Sequence, residues 1–255
     1  MPLHIEVTGS GEPLLLLHGW GMHGGVWGGI VPMLAQYHRV HVADLPGHGY
    51  SRETAPTLDD IVDALSAKFA GPLNVCGWSL GGIIAQRWAM REPEKVGRLV
   101  LVASTPCFTE HEGWPFGMAA GTLRQFAAEL ERDHAATLRR FLALQLRGSV
   151  NERELLADLR ERLFSRGEPD MWALRSGLEI LRDADLRAEL VAIRQPVLAI
   201  AGERDRLTPP GASRHVAQAA PRARAVEIAG AAHVPFLSHP DIFVKQVLDF
   251  LNEPV

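Results

Sequence analysis

A chain of 255 residues, 47% hydrophobic and 22% charged, is long enough to bury a full core without disulfides or metals and too apolar to be disordered. Its formal net charge of −4 argues against general affinity for nucleic acid or an anionic membrane surface. Two cysteines, Cys76 and Cys107, lie in or just after apolar runs and read as reduced thiols rather than a disulfide framework. No basic segment followed by an apolar stretch opens the chain, and no apolar run approaches the ~20 residues of a membrane span. A cytoplasmic monomer, independent of membrane and nucleic acid, is the expectation.

In chain order, the first strand signal is the leucine run 14–17, ending at His18-Gly19-Trp20-Gly21. A second run, 39–43, ends at Asp44-Leu45-Pro46-Gly47-His48-Gly49. A helical pattern at 58–69 leads to a strand at 73–76, a helix at 80–91 and a strand at 99–102. Later come strands at 197–200 and 225–228, with helical patterns at 211–219 and 242–251. The strand runs are largely apolar rather than alternating, which marks strands covered on both faces. Helices between them fit the crossovers that a parallel sheet requires. The fold class is α/β.

From about 109 to 190 no strand is legible. The stretch reads as amphipathic helices, among them 123–132, 135–146 and 152–164. We therefore expect a core formed by 1–108 and 191–255, with 109–190 as a helical cap over the strand ends, where open α/β sheets bind ligands.

Gly77-Trp78-Ser79-Leu80-Gly81 matches Gly-x-Ser-x-Gly between a strand and a helix. A serine there occupies a tight turn that needs small residues two positions to either side. Ser79 is the candidate nucleophile. Its hydroxyl needs a base, and the partners of this motif follow in the order acid, then histidine. His215 falls within a helical pattern and His239 opens the last helix, whereas His233 follows the last strand in a loop of small residues, Gly230-Ala231-Ala232. His233 is the candidate base. Glu203 and Asp205, after the 197–200 strand, are both candidates for the acid; an Asx-turn ahead of Pro209-Pro210 is the bland role for Asp205. Two backbone donors complete the site, the N–H of Leu80 and the main chain of Trp20, whose indole is expected on the pocket floor. His18 and Asp44 are read as loop braces.

These motifs, with Ala231-Ala232-His233, resemble the α/β-hydrolase superfamily. Within it, the chain is similar to the carboxylesterases of biotin synthesis, on the strength of Val102 to Phe108, Arg140 to Gln145, Gly177 to Leu181 and Ala232 to Pro240. The resemblance favours Asp205 as the acid, through the family's G-x-x-D form. It implies hydrolysis of a methyl ester on a pimeloyl chain carried by acyl-carrier protein, which would be the partner. Phe141, Leu142, Ala143, Leu144 and Gln145 would line the pocket beside Trp20, Ser79, Leu80 and His233. Arg139, Arg140, Arg147 and Arg153 are the candidates for touching the acidic carrier, although a solvated helix face accounts for them equally well. Superfamily members that act on halides or epoxides carry an aspartate where Ser79 stands. No cofactor is expected, and no His-x-x-x-His or clustered Cys/His spacing points to a metal.

Overall fold

The computed structural model describes residues 3–52 and 57–254. Among these residues seven strands form one sheet: β1 (Ile5–Thr8), β2 (Pro13–Leu17), β3 (Arg39–Ala43), β4 (Leu73–Trp78), β5 (Val96–Val102), β6 (Val197–Gly202) and β7 (Ala223–Ile228). Their order is β1-β3-β2-β4-β5-β6-β7. Every neighbouring pair is parallel except β1 with β3. The central strands β4 and β6 are buried along their whole length, Asn74 of β4 included, whereas the edge strand β7 has Arg224 and Glu227 exposed.

Most strands extend beyond their apolar runs. β4 continues through Gly77, paired with Leu17 and Leu101, to Trp78. β1 is not legible in the sequence: four residues, IEVT, mostly exposed, form an edge strand that only β3 stabilises.

Helices α1 (Val31–Leu34), α2 (Leu58–Ser66), α3 (Leu80–Arg91), α8 (Pro210–Ala219), α9 (Pro235–Ser238) and α10 (Pro240–Leu251) accompany the sheet. Thr57 and Asp60 close α2 with reciprocal side-chain-to-backbone bonds. That helix ends at Ser66 rather than Phe69, because Lys68 N and Phe69 N reach only three residues back, to Leu65 O and Ser66 O.

Between β5 and β6 the chain forms α4 (Ala120–Arg132), α5 (His134–Leu146), α6 (Glu152–Leu163) and α7 (Met171–Asp183). α5 packs on α4 and α6, and α7 on α4. This group is fastened to the sheet's loops at several points. Arg166 reaches both Asp44 and Glu6, His23 Nε2 donates to Arg162 O at 2.7 Å, and Asp170 N donates to Gly47 O at 2.8 Å.

Candidate active site

The turn between β4 and α3 holds Ser79 at φ 53°, ψ −116°, a left-handed backbone that a residue with a side chain adopts only under constraint. The constraint is visible. Ser79 N donates to Val102 O at 2.9 Å, and Ser79 O accepts from Gly82 N at 2.9 Å and from Ser104 Oγ at 2.8 Å. Side chains at 77 and 81 have no room: a methyl group on Gly77 would overlap the Gly81 carbonyl, and one on Gly81 would overlap Leu17 O. The elbow is the contact of β4 and α3 backbones with β2.

Asp205 leaves the end of β6 in a turn closed by its own N–H to Gly202 O at 3.1 Å. Its carboxylate is shared between two tasks. Oδ1 accepts from Leu207 N at 2.8 Å and Thr208 N at 3.1 Å, the Asx-turn that the two prolines suggested. Oδ2 meets His233 Nδ1 at 2.8 Å and accepts from Thr208 Oγ1 at 2.7 Å. Glu203, the other carboxylate considered, instead accepts from Gly230 N at 2.8 Å and is exposed. Thr208 was not singled out from the sequence, because only the folded turn carries its hydroxyl to the shared oxygen.

The His233 side chain is 2% exposed and that of Asp205 0%, so their contact is sheltered from water. Two backbone bonds set the imidazole beside the elbow. Trp78, the residue before Ser79, donates from Nε1 to His233 O at 2.8 Å, and its ring lies 5.7 Å from the imidazole centroid. His233 N donates to Gln145 O at 3.0 Å, so the end of α5 also holds the loop. With Nδ1–H donated to the carboxylate, Nε2 is left with its lone pair as a proton acceptor. Ser79 Oγ makes no hydrogen bond among the described residues; such contacts often close only when substrate is seated.

Neither the Trp20 amide nor the Leu80 amide donates to an acceptor among the described residues. The Trp20 indole is buried, donates from Nε1 to Leu174 O at 2.9 Å, and meets Phe126 and Phe141 edge-on. It lines an apolar cavity of about 50 Å³ with Phe108, Phe126, Phe141, Leu144 and Leu178. Of the five residues 141–145, Phe141 and Leu144 thus reach this cavity. Leu142 and Gln145 are buried, and Ala143 lines an adjoining groove of about 420 Å³.

That groove also contains Arg140, Arg147 and Leu144. Arg140 is engaged by Glu129 at 2.8 Å. Arg139 lies over the Phe164 ring at 5.7 Å, and Arg153, on the first turn of α6, is exposed. The four arginines therefore do not form a single cluster. A second groove, also about 420 Å³, runs between α4 and α7 and shares Leu123 and Leu178 with the apolar cavity; it contains none of Ser79, Asp205 and His233.

The two loop braces take the parts expected of them. His18 Nε2 accepts from Leu45 N at 2.9 Å and its Nδ1 donates to Gly19 O at 2.8 Å, tying the loops after β2 and β3. Burial, reinforced by the nearby His48, pushes the His18 imidazole down to about 3, so the ring is neutral. Asp44 accepts from Gly24 N at 2.7 Å and Tyr50 N at 2.9 Å and pairs with Arg166. Burial alone would raise its carboxyl, but these bonds, with the charge of Arg166, hold it below its ordinary value.

Among the described residues, Cys107, His111 and Asp185 place three potential metal ligands within 4.8 Å of one another. Arg187 holds the two Asp185 oxygens at 2.7 and 2.6 Å, and burial, then the Asp185 charge, raises the Cys107 thiol. A protonated thiol and a carboxylate already bound to a guanidinium do not suit a cation. Cys107 and Asp185 instead form an isolated antiparallel bridge between the segments that leave β5 and lead back to β6.

A family model described as the alpha/beta hydrolase fold matches residues 12–240. The pimeloyl-[acyl-carrier protein] methyl ester esterase of Nitrosomonas europaea is 49% identical over 244 residues, covering 95% of this chain and 97% of that protein. The protein of the same name from Chromobacterium violaceum is 43% identical, covering 99% of each chain. Among solved structures, the esterase EaEST from Exiguobacterium antarcticum superposes with a TM-score of 0.88 at 21% identity, covering 98% of this chain and 96% of that one, a likeness of fold.

Proposed function

The chain belongs to the α/β-hydrolase fold family, and from that premise we propose that it is a serine carboxylesterase acting on the methyl ester of pimeloyl-[acyl-carrier protein]. One observation carries the chemistry: a buried carboxylate bonded at 2.8 Å to His233 Nδ1, with the His233 main chain held by Trp78, the neighbour of an elbow serine. Near-full-length identity of 49% to a protein named for that substrate supports the choice of ester.

The proposed reaction has two halves. His233 Nε2 takes the Ser79 proton as Oγ attacks the ester carbonyl, and Asp205 steadies the imidazolium. The Leu80 and Trp20 amides stabilise the oxyanion, each worth ~3 kcal/mol. The proton then passes to the departing methoxide, which leaves as methanol. Water attacks the acyl-enzyme by the reverse proton path and releases the free carboxylate. No metal or redox step enters.

The acyl chain is assigned to the cavity beside Trp20, Phe141 and Leu144. Five methylenes at ~0.8 kcal/mol each supply up to ~4 kcal/mol if fully buried. A cavity of about 50 Å³ holds only a few water molecules, so Phe126 and Leu144, which line both spaces, must part to admit the chain. The groove they share, with Arg140 and Arg147 on it, is assigned to the carrier protein.

The test compares hydrolysis of pimeloyl-carrier methyl ester with a panel of short p-nitrophenyl esters, for the wild type and Ser79→Ala. We expect preference for the carrier-bound ester and loss of all turnover in the variant. Preference for the short esters would make the chain a general carboxylesterase, and turnover by Ser79→Ala would remove the serine mechanism.

A further inference from the structure

Gly177 stands in the middle of α7, a helix that contributes nothing to Ser79, Asp205 or His233. A methyl group on it would lie 2.5 Å from Trp20 Cδ1, 3.0 Å from Trp20 Nε1 and 3.5 Å from Leu80 Cδ2. One turn earlier, Leu174 O accepts the Trp20 indole N–H at 2.9 Å. The backbone of α7 is therefore the wall on which the indole rests. Phe126 of α4 and Phe141 of α5 face the same ring at centroid distances of 5.4 and 5.2 Å. Trp20 is 2% exposed. A rigid ring held by three helices can yield only toward the small cavity that it lines. Glycine inside a helix costs ~1 kcal/mol relative to alanine, so its presence here marks a close approach rather than a helix preference.

We propose that Gly177 is a positioning residue for the acyl transfer: by letting α7 touch the Trp20 indole, it aims the Trp20 main-chain N–H at the oxyanion. This inference rests on the esterase reading above. Indole and amide belong to one residue, so a displaced ring drags the loop that carries the donor. Oxyanion donors work only when set about 2.7–3.1 Å from where the charge develops. The same indole lines the acyl cavity. A chain seated there presses on the residue that holds the donor, which turns binding energy from the remote part of the substrate into kcat.

The experiment measures kcat and KM of Gly177→Ala on p-nitrophenyl acetate, too short to fill the acyl cavity, and on p-nitrophenyl hexanoate. We expect kcat to fall about tenfold or more on both esters, with KM for the acetate little changed. Wild-type kcat on the acetate, with a defect confined to KM for the hexanoate, would make Gly177 a mere lining residue and overturn the proposal. If Gly177→Ala does not fold, Trp20→Phe reads the same link by removing the anchor to Leu174. It should lower kcat on the acetate, and an unchanged kcat there overturns the proposal equally. Ser79→Ala assayed in parallel separates the two readings. Turnover by that variant defeats the esterase reading, whereas a dead Ser79→Ala beside a fully active Gly177→Ala defeats this inference alone.

Discussion

Replacing Asp205 by asparagine keeps the size of the side chain and inverts what it offers the imidazole. The direction of the new amide is dictated by the turn. Leu207 N and Thr208 N both donate to Oδ1, so the amide oxygen must take that place. Its NH2 group then faces His233 Nδ1 and Thr208 Oγ1, where Oδ2 had accepted at 2.8 and 2.7 Å. Nδ1 can meet a donor only by giving up its proton, which moves to Nε2. The nitrogen aimed at the serine then carries a hydrogen and can no longer accept one. In a serine protease triad the same change of tautomer lowers kcat on the order of 10⁴-fold, equivalent to about 5.5 kcal/mol of activation free energy. We expect a loss of that order for Asp205→Asn, read as kcat on p-nitrophenyl acetate at pH 7.5, with an unchanged far-UV spectrum. Residual kcat within about tenfold of the wild type would show that Asp205 does not set the tautomer. A larger loss in Glu203→Gln would assign the role to the other carboxylate.

Three further outcomes follow from the braces, the elbow and the groove. The His18 imidazole sits near 3 in the folded chain, against about 6.5 when unfolded. Acid therefore protonates the unfolded chain first, so the stability held by a neutral His18 is complete above pH 6.5 and is lost as pH falls toward 3. Each unit costs up to ~1.4 kcal/mol. Urea unfolding between pH 6.5 and 4.5 should show this slope, and His18→Gln should flatten it; an equal slope in the variant would refute the assignment. His23 and His48, lowered chiefly by burial, act in the same direction. Gly77→Ala forces a methyl group onto the Gly81 carbonyl of the elbow and should lower the melting temperature sharply and abolish fluorophosphonate labelling; a labelled, stable variant would contradict the packing. Arg147→Glu should raise KM for the carrier-bound ester and leave p-nitrophenyl acetate hydrolysis unchanged. Equal effects on both substrates would move the carrier contact elsewhere.

Much of this molecule was legible in one dimension because the relevant physics is local. The apolar runs of β2, β4 and β6 mark strands covered on both faces, and the glycines around Ser79 mark a turn too tight for side chains. The order serine, acid, histidine along the chain follows from which loops lie at one end of a parallel sheet. β1 escaped notice because four mostly exposed residues carry little pattern until β3 pairs with them.

What the tertiary structure alone decided depends on distances between segments far apart in the chain. Glu203 and Asp205 differ by two positions, and only the packing of β6 against the 230–233 loop directs one to Gly230 and the other to His233. The arginines of α5 and α6 are alike as letters, but Arg140 and Arg147 share a groove while Arg139 lies against Phe164. Gly177 reads as a weak spot in a helix until Trp20, more than 150 residues earlier, is found resting on it. Local sequence encodes which backbone shapes are permitted; which side chains then share a few ångströms is a property of the closed fold.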